Sequence, residues 1–292
     1  ESDVSLAVSR LNRIIEIQKI LIDQIRVLET MTAMDFLEFR DDLFPSSGFQ
    51  SAQFRLLENK LGLLKNERIN YGRQDYKNVI LDEEKIKVKQ SENERSLFEL
   101  LETWLERTPF LSFEGFSFWE QYSDAVRSML KKEITVIRTN PNHTKTEIEI
   151  HLKEHERAVA SFEAMISPEK HNELIEKKKK RLSHKATQAA LLIFLYRDEP
   201  ILHSPFNLLS RIMDVDELFT TWRQRHALMV RRMIGAKIGT GGSSGHAYLQ
   251  ATADRHKVFA ELADLSTFFI PRSALPELPE HIKQNLGYHF KS

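Results

Sequence analysis

Residues 4–30 read VSLAVSRLNRIIEIQKILIDQIRVLET, and this stretch decides the fold class. Apolar side chains recur along it at mixed three- and four-residue intervals. The recurring positions include Val4, Val8, Leu11, Ile15, Ile22 and Ile25. Such spacing places the apolar side chains on one face of a helix. The stretch therefore predicts a long amphipathic helix with one buried side.

The same helical pattern continues along most of the chain. Residues 51–65 repeat it, with Phe54, Leu57, Leu61 and Leu64 as the apolar stripe. Further helical patterns cover residues 82–106, 116–138, 145–165, 183–197, 214–237 and 254–270. Alternation with a period of two, which is typical of strands, is almost absent from the sequence. The sequence therefore predicts an all-α fold, arranged as a bundle-like helical domain.

Composition excludes several classes of function. Lys and Arg together number 42, as do Asp and Glu, so no net charge favours nucleic acid or an anionic membrane as a partner. Cysteine is absent, which excludes disulfides, thiolate catalysis and cysteine-ligated metals. No apolar run reaches the roughly 18 residues that suggest a membrane span. The start of the sequence, Glu1-Ser2-Asp3, has no signal-peptide pattern, so we expect a cytoplasmic protein. It also lacks an initiator Met, so we expect this sequence to begin inside a longer polypeptide.

The stretch from Gly239 to Gly245 reads GTGGSSG and is the most unusual loop in the sequence. It lacks the Lys of a phosphate-binding P-loop and the preceding strand of a dinucleotide fingerprint. Its glycines still allow a close backbone approach to a ligand, and Thr240, Ser243 and Ser244 add hydroxyl groups. From composition alone, an anion cradle and a flexible surface loop are about equally good interpretations.

Two sets of histidines are candidates for metal binding. His151 and His155 are four residues apart, but the many charged neighbours favour a solvated helix surface. His226 lies among Trp222, Met229 and other large apolar residues at helical spacing. Such a residue is either a core histidine or an imidazole that ligates haem iron between apolar walls. Spacing alone favours the core histidine.

A candidate for substrate binding, rather than metal binding, is a pair of residues on one predicted helix. Phe36 and Arg40 are four residues apart and therefore share a helix face. Arginine can clasp a carboxylate with two parallel hydrogen bonds, and an adjacent aromatic ring can pack on a planar substrate. The alternative is a surface arginine paired with Asp41 or Glu38, which the isolated pattern favours.

Taken together, several long segments resemble the tryptophan 2,3-dioxygenase family. The resemblance runs in one order over nearly the whole chain, and the longest matching stretch runs from Trp222 to Pro271. The other segments that carry it are LETMTAMDF at 28–36 with Arg40, SGFQSAQFRLLENK at 47–60, WLERTP at 104–109 and YRDEP at 196–200. A set of collinear motifs is far more specific than any one of them.

The resemblance implies roles for the residues already singled out. His226 would be the axial ligand of the iron of haem b, with Trp222, Met229, Ser243 and Ser244 also contacting the cofactor. Arg40 would pair with the substrate carboxylate and Phe36 would pack on the indole. Thr240 would contact the amino-acid end of the substrate. The remaining residues implied to contact the substrate are Ser47, Gly241 and Gly242. No acid–base pair is implied, since haem carries the chemistry.

The resemblance also implies a reaction, an oligomeric state and a domain organisation for this chain. The expected reaction cleaves the indole C2–C3 bond of L-tryptophan with O₂ and gives N-formyl-L-kynurenine, the first step of tryptophan degradation. The expected assembly is a homotetramer. We expect one helical haem dioxygenase domain over residues 1–292, with a possible helical insertion around residues 140–182.

The sequence departs from the family's pattern in two places. Family members carry a distal His near a His-Gln-x-x-Glu-Leu-x-x-Lys pattern, which does not occur here. We therefore expect an N-terminal segment that is truncated, disordered or separately encoded to complete the distal wall. His246 stands where an aromatic such as Tyr is usual, which predicts a rim substitution of little effect. The alternatives left open are an aromatic monooxygenase with the same haem and a non-catalytic helical haem-binding protein.

Overall fold

The computed structural model describes residues 2–44, 51–69, 80, 82–108, 118–240 and 245–286. Over these residues all regular structure is helical, which confirms the predicted all-α fold. The α-helices are α1 (Ser2–Leu28), α2 (Ala33–Phe39), α3 (Ala52–Leu61), α4 (Asp82–Ser91), α5 (Leu97–Glu106), α6 (Phe118–Thr139), α7 (Lys145–Ile166), α8 (Pro168–Glu176), α9 (His184–Leu195), α10 (Pro200–Ile234), α11 (His246–Arg255), α12 (Ala260–Asp264) and α13 (Glu280–Leu286). Short 3₁₀ helices lie at Arg40–Leu43, Leu265–Phe268 and Arg272–Ala274.

Two predicted helices are divided in the structure. The pattern over 82–106 becomes α4 and α5, because Ser96 caps a new helix. Its hydroxyl accepts the Glu99 N–H at 3.3 Å, and the Glu99 carboxylate accepts the Ser96 N–H at 2.7 Å. The prediction of one helix over 254–270 is wrong, since α11 ends at Arg255 and α12 is followed by the 3₁₀ helix Leu265–Phe268.

The first of two compact units comprises Glu1–Leu101 and Ser210–Ala260. Most of the predicted stripe of α1 is buried here: Leu11, Ile15, Ile22 and Ile25 are each at most 9% exposed, whereas Val4 and Val8 are half-buried. The Gln18 amide nitrogen on the same side of α1 donates to the Val215 carbonyl at 3.0 Å. The stripe therefore packs into the core of this unit, as the sequence predicts.

The second unit comprises Glu102–Leu209 and Glu261–Ser292. Helix α9 is buried along nearly its whole length, as expected for a helix that is apolar on all sides. Two buried tyrosines, Tyr122 and Tyr196, donate hydrogen bonds of 2.7 Å to the carbonyls of Phe268 and Pro276. The single domain over 1–292 and the insertion around 140–182, where α7 and α8 lie, stay predictions.

The histidine pair on α7 differs from its predicted surface position. His151 is exposed and contacts Glu154 at 3.3 Å, but His155 is only 6% exposed. His155 is buried because α7 packs along α6, where Glu133 lies 3.3 Å from its Nδ1. In the described part of the chain, no group of three metal-ligating side chains is placed to hold an ion, and no helix is long and apolar enough to cross a membrane.

Candidate active site

The first unit contains a cavity of about 490 Å³, a size typical of small-molecule sites. Its walls come from α2, α3, α10, α11 and the chain segments that follow α2 and α10. Six residues that the sequence analysis singled out line this one cavity: Phe36, Arg40, Trp222, His226, Met229 and Thr240. The structure thus brings together side chains that lie up to 204 positions apart in the sequence.

His226 lies in the last third of α10, with its imidazole on the cavity. Its ring centroid is 5.2 Å from that of Trp222, one helical turn earlier. No described residue forms a hydrogen bond with the imidazole. Burial lowers the pKa of His226 below its ordinary value of 6.5. The ring is therefore neutral at pH 7, which is the form that ligates a metal.

The spacing around His226 fits either a core histidine or an iron ligand, and the cavity bears on that choice. A core histidine normally has a hydrogen-bonding partner, because an unsatisfied buried polar group is costly. The neighbours of His226 on the cavity wall are largely apolar and include Met229, Val230 and Met233. A neutral imidazole between apolar walls suits a flat, mostly apolar macrocycle with iron at its centre. These residues therefore fit a haem.

Arg40 begins the 3₁₀ helix directly after α2, whose start is fixed by a capping box between Thr32 and Asp35. The Nη2 of Arg40 donates to the Ile238 carbonyl at 2.6 Å, which holds the guanidinium against the segment after α10. Among the described residues its buried Nε has no hydrogen-bond acceptor, and Arg40 forms no ion pair. The alternative of a surface pair with Asp41 or Glu38 is therefore wrong.

The glycine-rich stretch is described only at its two ends. Thr240 lines the cavity, whereas Ser47, Gly241, Gly242, Ser243 and Ser244 lie outside the described residues. Gly245 directly precedes α11 and has a φ of 57°, and a Cβ there would lie 3.4 Å from the Lys237 carbonyl and from Ile234. Glycine suits this position because L side chains rarely adopt a backbone conformation with such a positive φ. The ends of the stretch are thus anchored beside the cavity.

His246 has a more specific contact than its predicted position at the rim. It is half-buried, and its Nδ1 lies 3.0 Å from the carbonyl oxygen of Ala227. Because a carbonyl only accepts, Nδ1 carries the proton. The side chain therefore ties the start of α11 to the residue that follows His226 on α10.

The cavity also has a polar wall that the sequence analysis missed. Glu58 on α3 is 3% exposed and is its central residue. Its Oε2 accepts from Arg55 Nη1 at 2.7 Å, and its Oε1 accepts from Arg223 Nη2 at 3.1 Å and from His256 Nδ1 at 3.2 Å. Tyr248, whose pKa is raised by burial, also lines this wall and hydrogen-bonds Arg55.

The charges of this wall are set by its hydrogen bonds. The Ile69 N–H donates to His256 Nε2 at 3.2 Å, so this nitrogen is unprotonated and the ring proton lies on Nδ1. Burial by itself raises the pKa of Glu58, but the hydrogen bond from His256 and the charges of Arg55 and Arg223 outweigh it and lower the pKa to about 2. Glu58 is therefore ionised across the physiological range.

One signal in the sequence could have indicated this wall. Arg55 and Glu58 lie three residues apart within the stretch at 47–60 that carries the resemblance. The apolar spacing instead predicts Phe54, Leu57 and Leu61 as the buried stripe, but Leu57 is 43% exposed. Pairing at helical spacing indicates a polar face, but it does not say that the face is buried.

The helical fold and this cavity, with an imidazole and a guanidinium among its lining groups, are typical of a protein that binds a small molecule. Comparison with known proteins then identifies the family. The sequence pattern of the family described as tryptophan 2,3-dioxygenase matches residues 2–269. The chain belongs to the tryptophan 2,3-dioxygenase family, which uses haem.

Three relatives illustrate how far the similarity extends, and each is named tryptophan 2,3-dioxygenase. The relative from Dictyostelium discoideum is 47% identical over 282 residues, which is 96% of this chain and 70% of that protein. The relative from Bdellovibrio bacteriovorus is 46% identical over 290 residues, covering 99% and 81%. The relative from Alteromonas mediterranea is 42% identical over 291 residues, covering 100% and 80%.

Proposed function

We propose that this chain cleaves the indole C2–C3 bond of L-tryptophan with O₂, giving N-formyl-L-kynurenine, and that it holds haem b through His226. The observation that carries the proposal is the single cavity in which a neutral imidazole, a partly unsatisfied guanidinium and an aromatic ring meet. Membership in the tryptophan 2,3-dioxygenase family supports the proposal.

The reaction balances without a reductant. The C2–C3 bond breaks, one oxygen atom becomes the formyl oxygen on C2, and the other becomes the ketone oxygen on C3. When bound, haem supplies the chemistry that activates O₂. The remaining work of the protein is to orient the indole, anchor its amino-acid end and exclude water.

His226 acts as the neutral ligand, and its orientation is fixed by neighbouring rings. Trp222 packs against its imidazole with the two planes 38° apart, and Phe54 packs against Trp222 with ring centroids 5.2 Å apart. Because the pKa of His226 is lowered by burial, few protons compete with iron for the imidazole near neutral pH.

Arg40 acts as the carboxylate anchor. Its Nη2 is already held by the Ile238 carbonyl, so the guanidinium is oriented before a ligand arrives. Its buried Nε is a donor that a carboxylate would satisfy. Phe36, one helical turn earlier, offers a flat apolar surface for the indole, and the Thr240 hydroxyl offers a hydrogen bond to the amino-acid end. Ser47, Gly241, Gly242, Ser243 and Ser244 stay predictions.

Labelled oxygen tests the reaction. With ¹⁸O₂ we expect two labelled atoms in the product, whereas one labelled atom would establish the monooxygenase alternative. In Arg40→Ala we expect KM for L-tryptophan to rise by roughly two orders of magnitude, since a charged, hydrogen-bonded partner is removed. Arg272→Ala is the matched control, because Arg272 is exposed and pairs with Asp198 outside this cavity. An unchanged KM in Arg40→Ala would contradict the anchor.

We propose that the chain assembles as a homotetramer. Support comes from α1, which buries one apolar side but also exposes apolar side chains, among them Ile17 (51%), Ile20 (59%) and Val27 (69%). Large apolar side chains grouped on an exposed helix are typical of interaction surfaces. Light scattering should give four chains per particle, and Ile20→Glu should reduce that number. A cytoplasmic location stays a prediction.

A further inference from the structure

Glu58 joins parts of the chain that are far apart in sequence. It lies on α3, yet its carboxylate receives hydrogen bonds from Arg223 on α10 and from His256 after α11. The partners are 165 and 198 positions away. Arg223 is held a second time, since its Nη1 donates to the His256 carbonyl at 2.9 Å. This carboxylate is therefore the meeting point of three segments of the cavity wall.

The ion pair of Glu58 with Arg223 is connected to His226 along α10. Arg223 and Trp222 precede His226 by three and four residues, so all three side chains face the cavity. Holding the Arg223 guanidinium fixes the rotation of this turn of α10 against α3. The position of the imidazole then follows from the helix geometry.

A second connection runs through aromatic rings. The Arg223 guanidinium lies 5.7 Å from the centroid of Phe54 and 5.2 Å from that of Phe219. Phe54 is one turn before Glu58 on α3, and its ring packs on Trp222, which packs on His226. Glu58 and Arg223 are therefore also connected to the rings that orient the imidazole.

We propose that Glu58 is a positioning residue that acts through Arg223: it orients Trp222 and His226 and thereby sets how firmly the chain holds haem. The inference rests on the proposed function, because it presumes that His226 ligates the iron. Glu58 is not a catalytic residue in this account, since its carboxylate is occupied by Arg55, Arg223 and His256.

A positioning role for Glu58 and a purely structural role predict different results when Glu58 is substituted. A carboxylate that only stabilises the fold would lower the melting temperature and leave the bound haem unaltered. A carboxylate that orients the iron ligand must also change the affinity for haem and its spectrum. Residues that orient a metal ligand typically change metal affinity by about 10- to 100-fold when they are substituted.

The test compares Glu58→Gln with Glu261→Gln in the full chain, with hemin as the probe. Glu261 is a matched control because its carboxylate accepts the N–H groups of Arg181 and Leu182 but does not line the cavity. We expect Glu58→Gln to weaken hemin retention by about 10- to 100-fold and to shift the Soret maximum and the ferric/ferrous midpoint potential. The Glu261→Gln protein should keep the wild-type spectrum and affinity.

A second variant keeps the inference testable if Glu58→Gln does not fold. Arg223→Lys retains the charge but loses the planar fork that bonds both Glu58 and the His256 carbonyl, so it should show the same spectral shift and weaker retention. Wild-type hemin affinity and spectrum in either folded variant would overturn the inference. If the wild-type chain itself bound no hemin through His226, the proposed function would fail instead, and the two failures are thus distinguishable.

Discussion

Helices α1 and α3 present the same pattern in the sequence but differ in which of their side chains are buried. In α1 the predicted apolar stripe is the buried side, with Leu11 at 6% and Ile15 at 4% exposure. In α3 the predicted stripe includes Leu57, which is 43% exposed, while Arg55 and Glu58 are buried at 6% and 3%. One helix follows the hydrophobic pattern and the other reverses part of it.

This difference in burial indicates that α3 serves a purpose other than stability. Burying apolar area is favourable by about 25 cal/mol per Å², whereas burying a charge is costly unless it is paired. A helix that turns a leucine outwards and a carboxylate inwards therefore needs specific partners, which Arg223 and His256 supply to α3. Departures from local rules are expected where a site is built.

The largest effect should come from removing the buried charge of α3. Glu58→Ala leaves Arg55 and Arg223 without their shared carboxylate, so we expect the free energy of unfolding to fall by about 3–5 kcal/mol. Urea denaturation of the haem-free chain measures it. Glu94→Ala, which removes an exposed pair with Lys60, is the control and should cost at most about 1 kcal/mol. Equal losses in the two variants would remove the contrast between buried and exposed charge.

The next effect concerns the buried stripe of α1. Ile15→Ala removes apolar contacts inside the first unit, and we expect a loss of about 2–4 kcal/mol in unfolding free energy. Glu16→Ala, at the adjacent exposed position, should change stability by less than about 1 kcal/mol. A small effect at Ile15 would mean that α1 does not follow the hydrophobic pattern after all.

Acid should act on α3 through Glu58. Its folded pKa of about 2 lies below the ordinary value of 4.5, so ionised Glu58 contributes stability above pH 4.5 that is lost as pH falls toward 2. The stability difference between wild type and Glu58→Gln should stay constant above about pH 5 and shrink below pH 4.5. Urea denaturation at a series of pH values measures it, and a difference unchanged down to pH 2 would contradict the assigned pairing.

The smallest effect should come from the outward leucine of α3. Leu57→Ala alters a side chain that is 43% exposed, and we expect a change within about 0.5 kcal/mol. Thermal unfolding of Leu57→Ala and Ile15→Ala, measured side by side, compares the two stability changes. A loss as large as that of Ile15→Ala would show that Leu57 is buried in the assembled protein.

The sequence predicted much of this molecule from local rules. Helical periodicity predicted the all-α fold and the buried side of α1, whereas only the family resemblance, and not spacing, indicated Phe36, Arg40 and His226, which line one cavity. The wall around Glu58 could not be predicted in the same way. Whether a charged helix face is buried depends on a partner such as Arg223, 165 positions away, and periodicity contains no information about that pairing.

Uptake of hemin by the full chain, followed in the Soret band, tests whether His226 holds the haem iron. We expect the wild-type protein to bind hemin with a histidine-ligated spectrum, and we expect His226→Ala to lose this binding or weaken it strongly. His203→Ala is the matched control, since His203 is exposed on the same helix and does not line the cavity; it should bind as wild type does. Unchanged uptake and spectrum in His226→Ala would show that His226 is not the iron ligand.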